Sequence, residues 1–277
     1  MYHFVRVLNN NAVLAKKSDE QEVILMGKGI GFRCGKGDDS CIILHEDVEK
    51  TFIPLSNNLT EEYLDLIRRV DEQILSVCSE IVLKASENLG DLQPNIFILL
   101  SVHIDFAVRR IKENIVIENP LMDEIEMLYP TEYAVAMEAK KMLEKQLQMT
   151  ICDEEAGYIA LHLHAARTKQ DVKDSLRRTN LLRLLSDKTE ELLKIDLKKG
   201  FAYRQLMDHL RGVLERVEND ISVHHPLLIE TRLKLVKEFD MATHLAGILA
   251  EGSGKKVSEN EIGYIAIHLH RLKKMAL

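Results

Sequence analysis

The stretch Gly157-Tyr158-Ile159-Ala160-Leu161-His162-Leu163-His164 returns later in the chain as Gly263-Tyr264-Ile265-Ala266-Ile267-His268-Leu269-His270. Equivalent residues stand 106 apart, from His162 to His268, and the same spacing carries His103 to His209. In that frame Arg110 meets Arg216, Pro120 meets Pro226, Glu124 meets Glu230 and Glu132 meets Glu238, with no gap. Self-similarity at a fixed period marks one structural unit used twice. The duplicated histidines therefore raise a question of chemistry: ligands, bases, phosphoryl acceptors or packing.

The periodicity around these markers is helical. Tyr63, Ile67, Val70, Ile74, Val77 and Ile81 recur at steps of three and four, after Thr60 as an expected N-cap with Glu61 and Glu62 in the first turn. Further helices are expected over Asn95–Ile115, Pro130–Ile151, Asp153–Arg167, Thr179–Leu193, Ala202–Ile221 and Glu230–Glu251, with a charged junction between the copies at Ala166–Ser175. No strand is expected after residue 60.

The first 55 residues read differently. Phe4 to Leu8, Ala12 to Ala15, Glu22 to Met26, a resumed Ile30 to Arg33 and a closing Lys50 to Pro54 are expected strands. Asn9-Asn10-Asn11 and Gly27-Lys28-Gly29 interrupt them. A small antiparallel β-sheet domain followed by two homologous all-α helical-bundle domains is the expected fold. The expected boundaries are 1–57, 60–168 and 172–277. A sheet of this size is near the lower limit of independent stability, which makes dimerisation a reasonable supplement.

Composition narrows the function. A net charge of −7 excludes a chain that binds nucleic acid through overall charge, so any such contact must be local. The four cysteines, Cys34, Cys41, Cys78 and Cys152, form no C-x-x-C pair and read as reduced thiols. No segment approaches the roughly 20 apolar residues of a membrane span, and a cytoplasmic protein is expected.

On a helix His162 and His164 point about 200° apart, so they cannot share a metal, and one of each such pair is expected at the surface. Arg110 lies two turns from His103, as Arg216 does from His209. Either arginine is a candidate phosphate contact. Metal binding wants converging carboxylates, and the nearby Asp105 and Asp208 do not match between copies. Acid–base catalysis wants one site rather than two. Phosphoryl transfer to imidazole needs only an accessible ring nitrogen and a donor, and it would add about two negative charges. No metal, cofactor or catalytic residue is expected. Pattern alone leaves packing and function open, and a helical metal-dependent hydrolase using His103, His162, His209 and His268 is the alternative.

The residues quoted resemble the BglG/SacY/LicT-type transcriptional antiterminators of bacterial sugar regulation. Arg6-Val7-Leu8-Asn9-Asn10-Asn11-Ala12, Met26-Gly27-Lys28-Gly29-Ile30-Gly31-Phe32 and Val48-Glu49-Lys50-Thr51-Phe52 are similar to that family's co-antiterminator RNA-binding domain. The two helical copies resemble its paired regulation domains. The resemblance implies a homodimeric RNA-binding activator that holds an RNA hairpin of a leader transcript and prevents terminator formation. It implies control by the sugar phosphotransferase system, with a sugar permease subunit acting on the first regulation domain and the phosphocarrier protein HPr on the second. By motif, the phosphoryl acceptors would be His103, His162, His209 and His268, with His164 and His270 as bystanders. RNA contacts would come from Arg6, Asn9, Asn11, Gly27, Lys28, Gly29 and Phe32. In place of the aspartate the family sets before its first histidine, this chain has Val102, whereas the second copy keeps Asp208.

Overall fold

Alternating apolar residues at the start of the chain build an antiparallel sheet. Its strands are β1 (Tyr2–Asn9), β2 (Ala12–Lys16), β3 (Glu22–Met26), β4 (Ile42–Ile43) and β5 (Lys50–Phe52), in the order β4-β1-β2-β3-β5. The computed structural model describes residues 2–18, 21–33, 42–52, 66–67, 69–197 and 200–275. Register runs from His3 opposite Lys16 to Asn9 opposite Ala12, with bulges between Phe4 and Arg6 and between Val7 and Asn9. The middle strands are buried on both faces, since Val13, Leu14, Val23, Ile24, Leu25 and Met26 are all inaccessible. Tyr2, Val13, Ala15, Val23, Leu25, Ile30 and Ile43 form the core of one face.

Ile30–Arg33 is a short helix, α1, and not the strand its sequence suggests. Gly29 adopts φ +70°, and the amides of Ile30 and Phe32 close onto the carbonyls of Gly27 and Gly29. The chain turns instead of extending, so Ile30 enters the core and Phe32 points outward. Gly31 lies so close to the Asn9 carbonyl that a Cβ would overlap it. The expected strand at Lys50–Pro54 is β5 as far as Phe52, and Ile53 and Pro54 lie outside the described residues.

The helices that follow among the described residues include α2 (Glu72–Leu89), α3 (Ile96–Lys112), α4 (Met122–Leu128), α5 (Pro130–Leu147), α6 (Asp153–Thr168), α7 (Val172–Leu193), α8 (Phe201–Glu218), α9 (Leu228–Lys234), α10 (Val236–Ser253) and α11 (Glu259–Met275). The cap expected at Thr60, with Tyr63, lies outside the described residues. The described start of α2 is capped by Asp71, whose side chain accepts from the Gln73 amide at 2.8 Å. The expected stripe of Ile67, Val70, Ile74, Val77 and Ile81 is buried. The chain divides into two compact units, residues 1–175 and 176–277.

The repeat is visible in backbone detail. Asn114 and Asp220, 106 apart, both end their helices in the left-handed region at φ 56° and 54°. Gln148 and Gly254 do the same at 51° and 70°. Two expectations are corrected. The single helix expected over Glu230–Glu251 is broken at Leu235 (φ −114°, ψ 46°) into α9 and α10, as Tyr129 breaks α4 from α5 in the first copy. The helix expected from Thr179 begins at Val172, where Asp171 accepts from the Lys173 amide at 2.8 Å. Much of the expected charged junction is therefore helical.

Because the obstacle at Gly31 is backbone rather than a movable side chain, Gly31→Ala is expected to destabilise the sheet domain by about 1–3 kcal/mol. Urea unfolding followed through the β signal of the sheet measures this, and an unchanged midpoint would show that the loop yields.

Candidate phosphoryl-acceptor sites and RNA-facing loop

The histidines separated by dozens of residues meet in pairs. Helix α3 packs on α6, and the rings of His103 and His162 come within 4.9 Å at a 42° tilt. Helix α8 meets α11, and the rings of His209 and His268 stack at 4.4 Å with 2° between their planes. The close approach of these helices to their neighbours uses the glycine of each repeated stretch. A Cβ on Gly157 would fall 2.5 Å from Met122 Sδ, and one on Gly263 would fall 2.9 Å from the His225 ring.

Each histidine pair sits beside a buried carboxylate that reading the sequence missed. Glu155, in the first turn of α6, accepts from Arg110 Nη2 at 2.6 Å, and its other oxygen lies 3.2 Å from His103 Nε2. That second approach has ion-pair distance without the alignment of a hydrogen bond. Glu261, in the first turn of α11, accepts from Arg216 Nε at 2.7 Å and Nη2 at 2.9 Å. The signal was present, because Glu155 and Glu261 keep the 106-residue spacing and stand two places before the repeated glycine. The arginines singled out as phosphate contacts are thus both engaged by carboxylates in this state.

Electrostatics follow from burial. Burial works to raise the Glu155 carboxyl, but His103 and then Arg110 outweigh it and hold it below the usual carboxylate value. Its hydrogen bond to Glu261 raises the Arg216 guanidinium further. Burial, and then the charge of His103, push His162 down to about 3. Burial, then His268 and Arg216, take His209 to about 4. Burial, then Arg271, take His268 to about 4. These three rings are neutral at pH 7 and keep a nucleophilic lone pair. One nitrogen of each paired ring is buried without a hydrogen bond: Nε2 of His209 and His268, Nδ1 of His162, and Nε2 of His103, which has only the ion-pair approach of Glu155 at 3.2 Å.

The second histidine of each stretch is not a surface residue, as had been expected. His164 Nδ1 lies 3.1 Å from Glu132 Oε1 and its ring 4.0 Å from that of Tyr129. His270 Nδ1 lies 3.3 Å from Glu238 Oε1. Both are half-buried ties, from α6 to α5 and from α11 to α10. Burial works to raise Glu132 and Glu238, but hydrogen bonds from these histidines and from the glutamates' own backbone amides leave both lowered.

In the sheet domain, the residues picked for RNA gather at one end, where the β1–β2 turn meets the Gly27–Arg33 loop, except for Arg6, which lies within β1 opposite Leu14. Asn9 is buried, with its side-chain Oδ1 accepting from the Asn11 backbone amide at 2.7 Å and its Nδ2 without a hydrogen bond. Asn11 accepts from the Gly29 amide at 2.8 Å, which fastens the turn to the loop. The Gly27 amide bonds the Asn11 carbonyl at 3.0 Å, and the Lys28 amide bonds Glu49 Oε1 at 3.2 Å. Arg6 and Lys28 are exposed. Phe32 is 72% exposed, so it is not a core residue.

A sheet domain that presents an exposed ring beside a glycine loop, followed by two copies of a histidine-bearing module, is the build of a regulator. The family described as CAT RNA binding domain matches residues 2–61, and that described as PRD domain matches residues 78–166 and 185–272. The chain belongs to the transcription antiterminators that join these domains. It is similar to the PtsGHI operon antiterminator of Bacillus subtilis strain 168, at 30% identity over 96% of this chain and 95% of that one. Against the beta-glucoside operon antiterminator of Dickeya chrysanthemi the identity is 28%, over 97% and 95%. The crystal structure of GlcT CAT-PRDI matches 60% of this chain and 98% of its own at 32% identity, with a TM-score of 0.53.

The metal-dependent hydrolase is not supported. The family is one of regulators. Among the described residues no three His, Cys, Asp or Glu side chains are grouped to hold a metal ion. Among them also, no helix is long and apolar enough to cross a membrane.

A pH dependence follows. As pH falls below 6.5, unfolded chains take up protons at His162, His209 and His268, while folded chains resist until about 3 to 4. The unfolded state then binds more protons, so stability falls across that window. The lowered glutamates lose their contribution only below 4.5, as pH drops through their folded values. Urea midpoints followed by helical circular dichroism are expected to decline between about pH 6.5 and pH 4. Replacing the three histidines by glutamine is expected to flatten that decline, and an unchanged slope would contradict the assignment.

Proposed function

We propose that the chain is divided at 1–57, 60–168 and 172–277 into an RNA-binding domain and two regulation domains, and that it acts as a homodimer. It holds an RNA hairpin in a leader transcript so that the overlapping terminator does not form. The acceptors of regulatory phosphoryl groups are His103 and His162 in the first regulation domain and His209 and His268 in the second. A sugar permease subunit of the phosphotransferase system serves the first domain, and HPr serves the second.

The observation that carries this reading is the meeting of two histidines beside an arginine–carboxylate pair, in both copies. An uncharged imidazole attacks phosphorus readily. The product adds about two negative charges, set down next to a carboxylate that is already ionised. Repulsion of the glutamate and attraction of the arginine act in the same direction. Arg110 or Arg216 would exchange its carboxylate for the phosphoryl group, freeing the bond that ties two helices. Since the buried nitrogens cannot meet a donor, the phosphoryl group belongs on Nδ1 of His103, His209 and His268 and on Nε2 of His162.

On the RNA side, unpaired bases are read by stacking and by hydrogen bonds to their edges. Phe32 supplies the stacking face, and Arg6 and Lys28 supply phosphate contacts. Asn11 keeps its amide nitrogen for base edges, while its oxygen and that of the buried Asn9 shape the loop. Gly27 and Gly29 let the backbone come close.

Incubation with HPr, its kinase enzyme and phosphoenolpyruvate is expected to introduce acid-labile phosphate, and joint replacement of His209 and His268 to remove most of it. Full labelling of that variant would point to other acceptors. Phe32→Ala is expected to weaken hairpin binding by about 1–3 kcal/mol without unfolding the sheet. Unchanged affinity in a folded variant would remove the stacking role.

A further inference from the structure

The two acceptor sites are not alike, and one pair of equivalent positions accounts for the difference. Position 106 in α3 is phenylalanine, and its counterpart 212 in α8 is glycine. We propose that this position is a positioning site: it decides whether the buried glutamate is shared with the acceptor histidine or taken wholly by the arginine. The proposal rests on the acceptor reading above for its functional meaning, though not for its geometry.

In the first module, Phe106 is 61% exposed, and the guanidinium carbon of Arg110 lies 5.2 Å from its ring centroid. A cation over an aromatic face is held there by the ring quadrupole. Held in that pose, Arg110 gives Glu155 one hydrogen bond, from Nη2 at 2.6 Å, and its Nε is buried with no partner. The second oxygen of Glu155 is left to His103 Nε2 at 3.2 Å. His103 is thereby backed by a carboxylate. Its ring proton is drawn to Nε2, and the lone pair is left on Nδ1.

In the second module, Gly212 offers no ring. Arg216 turns both Nε and Nη2 onto Glu261, at 2.7 and 2.9 Å. Even a methyl group at position 212 would come 3.3 Å from Arg216 Nη1, so the bidentate pose uses the space that glycine leaves. With both oxygens of Glu261 taken, His209 Nε2 is buried without a partner and the ring lies flat on His268. His103 is faced by Glu155, Tyr158 and His162 from α6, and it shares α3 with Arg110. His209 is faced by His268 from α11 and shares α8 with Arg216, itself engaged by Glu261.

The chemical consequence concerns the phosphorylated state. When Nδ1 attacks, the N–P bond forms as the donor's bond to phosphorus breaks. The donor leaves with that electron pair, and the ring keeps its proton on Nε2 as a cation. In the first module Glu155 balances that cation. In the second, Arg216 takes both oxygens of Glu261, so the ring gives up its Nε2 proton to water and becomes neutral, the poorer leaving group. The first module, whose ring stays cationic and can leave as neutral imidazole, is therefore built to give up its phosphoryl group readily, and the second to retain it.

Phe106→Gly and Gly212→Phe in the full chain, with Phe106→Tyr as the conservative control, test this. Arginine side chains labelled with 15N report the guanidinium directly and require no phosphoryl transfer. In Phe106→Gly the Arg110 Nε–H is expected to gain a partner and exchange with solvent more slowly, as Arg216 does, while Phe106→Tyr keeps the wild-type signal. Gly212→Phe is expected to release the Arg216 Nε–H. Phosphohistidine hydrolysis at neutral pH is expected to slow several-fold in the first module of Phe106→Gly. Unmoved guanidinium signals in folded variants would overturn the proposal, as would swapped signals with unchanged hydrolysis. A wild-type chain that takes no label on either module would strike the acceptor reading alone, and the guanidinium signals would then decide this inference by themselves.

Discussion

A buried carboxylate must be paired or it will not stay ionised, and this constraint organises both helical modules. Glu155 and Glu261 are almost completely inaccessible, and each is answered by an arginine from a helix some 45 residues earlier in the chain. Breaking such a buried pair by removing one partner costs about 3–5 kcal/mol. The pair therefore fixes which faces of α3 and α6, and of α8 and α11, look at each other. The histidines stand seven residues from both members of the pair, on His103 to Arg110 and on Glu155 to His162. Two turns of helix carry them to the same side, and the rings meet. The low basicity of His162, His209 and His268 follows first from their burial there and then from the positive or potentially positive groups beside them.

An arrangement of this kind is suited to switching because it is already close to electrostatic saturation. The arginine has one strong partner and the glutamate has one strong donor. As proposed, a phosphoryl group on either imidazole would bring a competitor of greater negative charge than the carboxylate. The energy of the exchange falls on the bond that holds two helices together. In the proposed switch, a local change of partner becomes a change in how a module presents its surface, with no need for a wire of intervening residues.

Much of this was legible in the sequence. The 106-residue spacing named the repeat and its duplicated histidines, and apolar steps of three and four named the helices, while the meeting of His103 with His162 and of His209 with His268 came only with the packing of those helices. Glu155 and Glu261 keep the same spacing but were overlooked, since glutamates in a first helical turn read as ordinary N-terminal charges. The break at Leu235 left no trace: the first copy marks it with Pro130, whereas the second has Val236 there, and the apolar period runs through. Ile30–Arg33 misled for a different reason. Its residues suit a strand, and the left-handed turn at Gly29 overrides them. His164 and His270 were placed at the surface on helical geometry, which gives direction from the axis but not the neighbouring helix that fills it. The asparagine turn was legible as a turn, though its bond to the Gly29 amide depends on a contact 18 residues away.

The central claim is that the arginine–glutamate bond holds each histidine pair together. Nuclear Overhauser contacts between the ring protons of His209 and His268 measure it most directly, in the wild-type chain and in a folded Glu261→Leu variant. The account predicts strong contacts in the first and their loss in the second, with the helical content retained. Ring contacts that persist at full strength without the glutamate would contradict it.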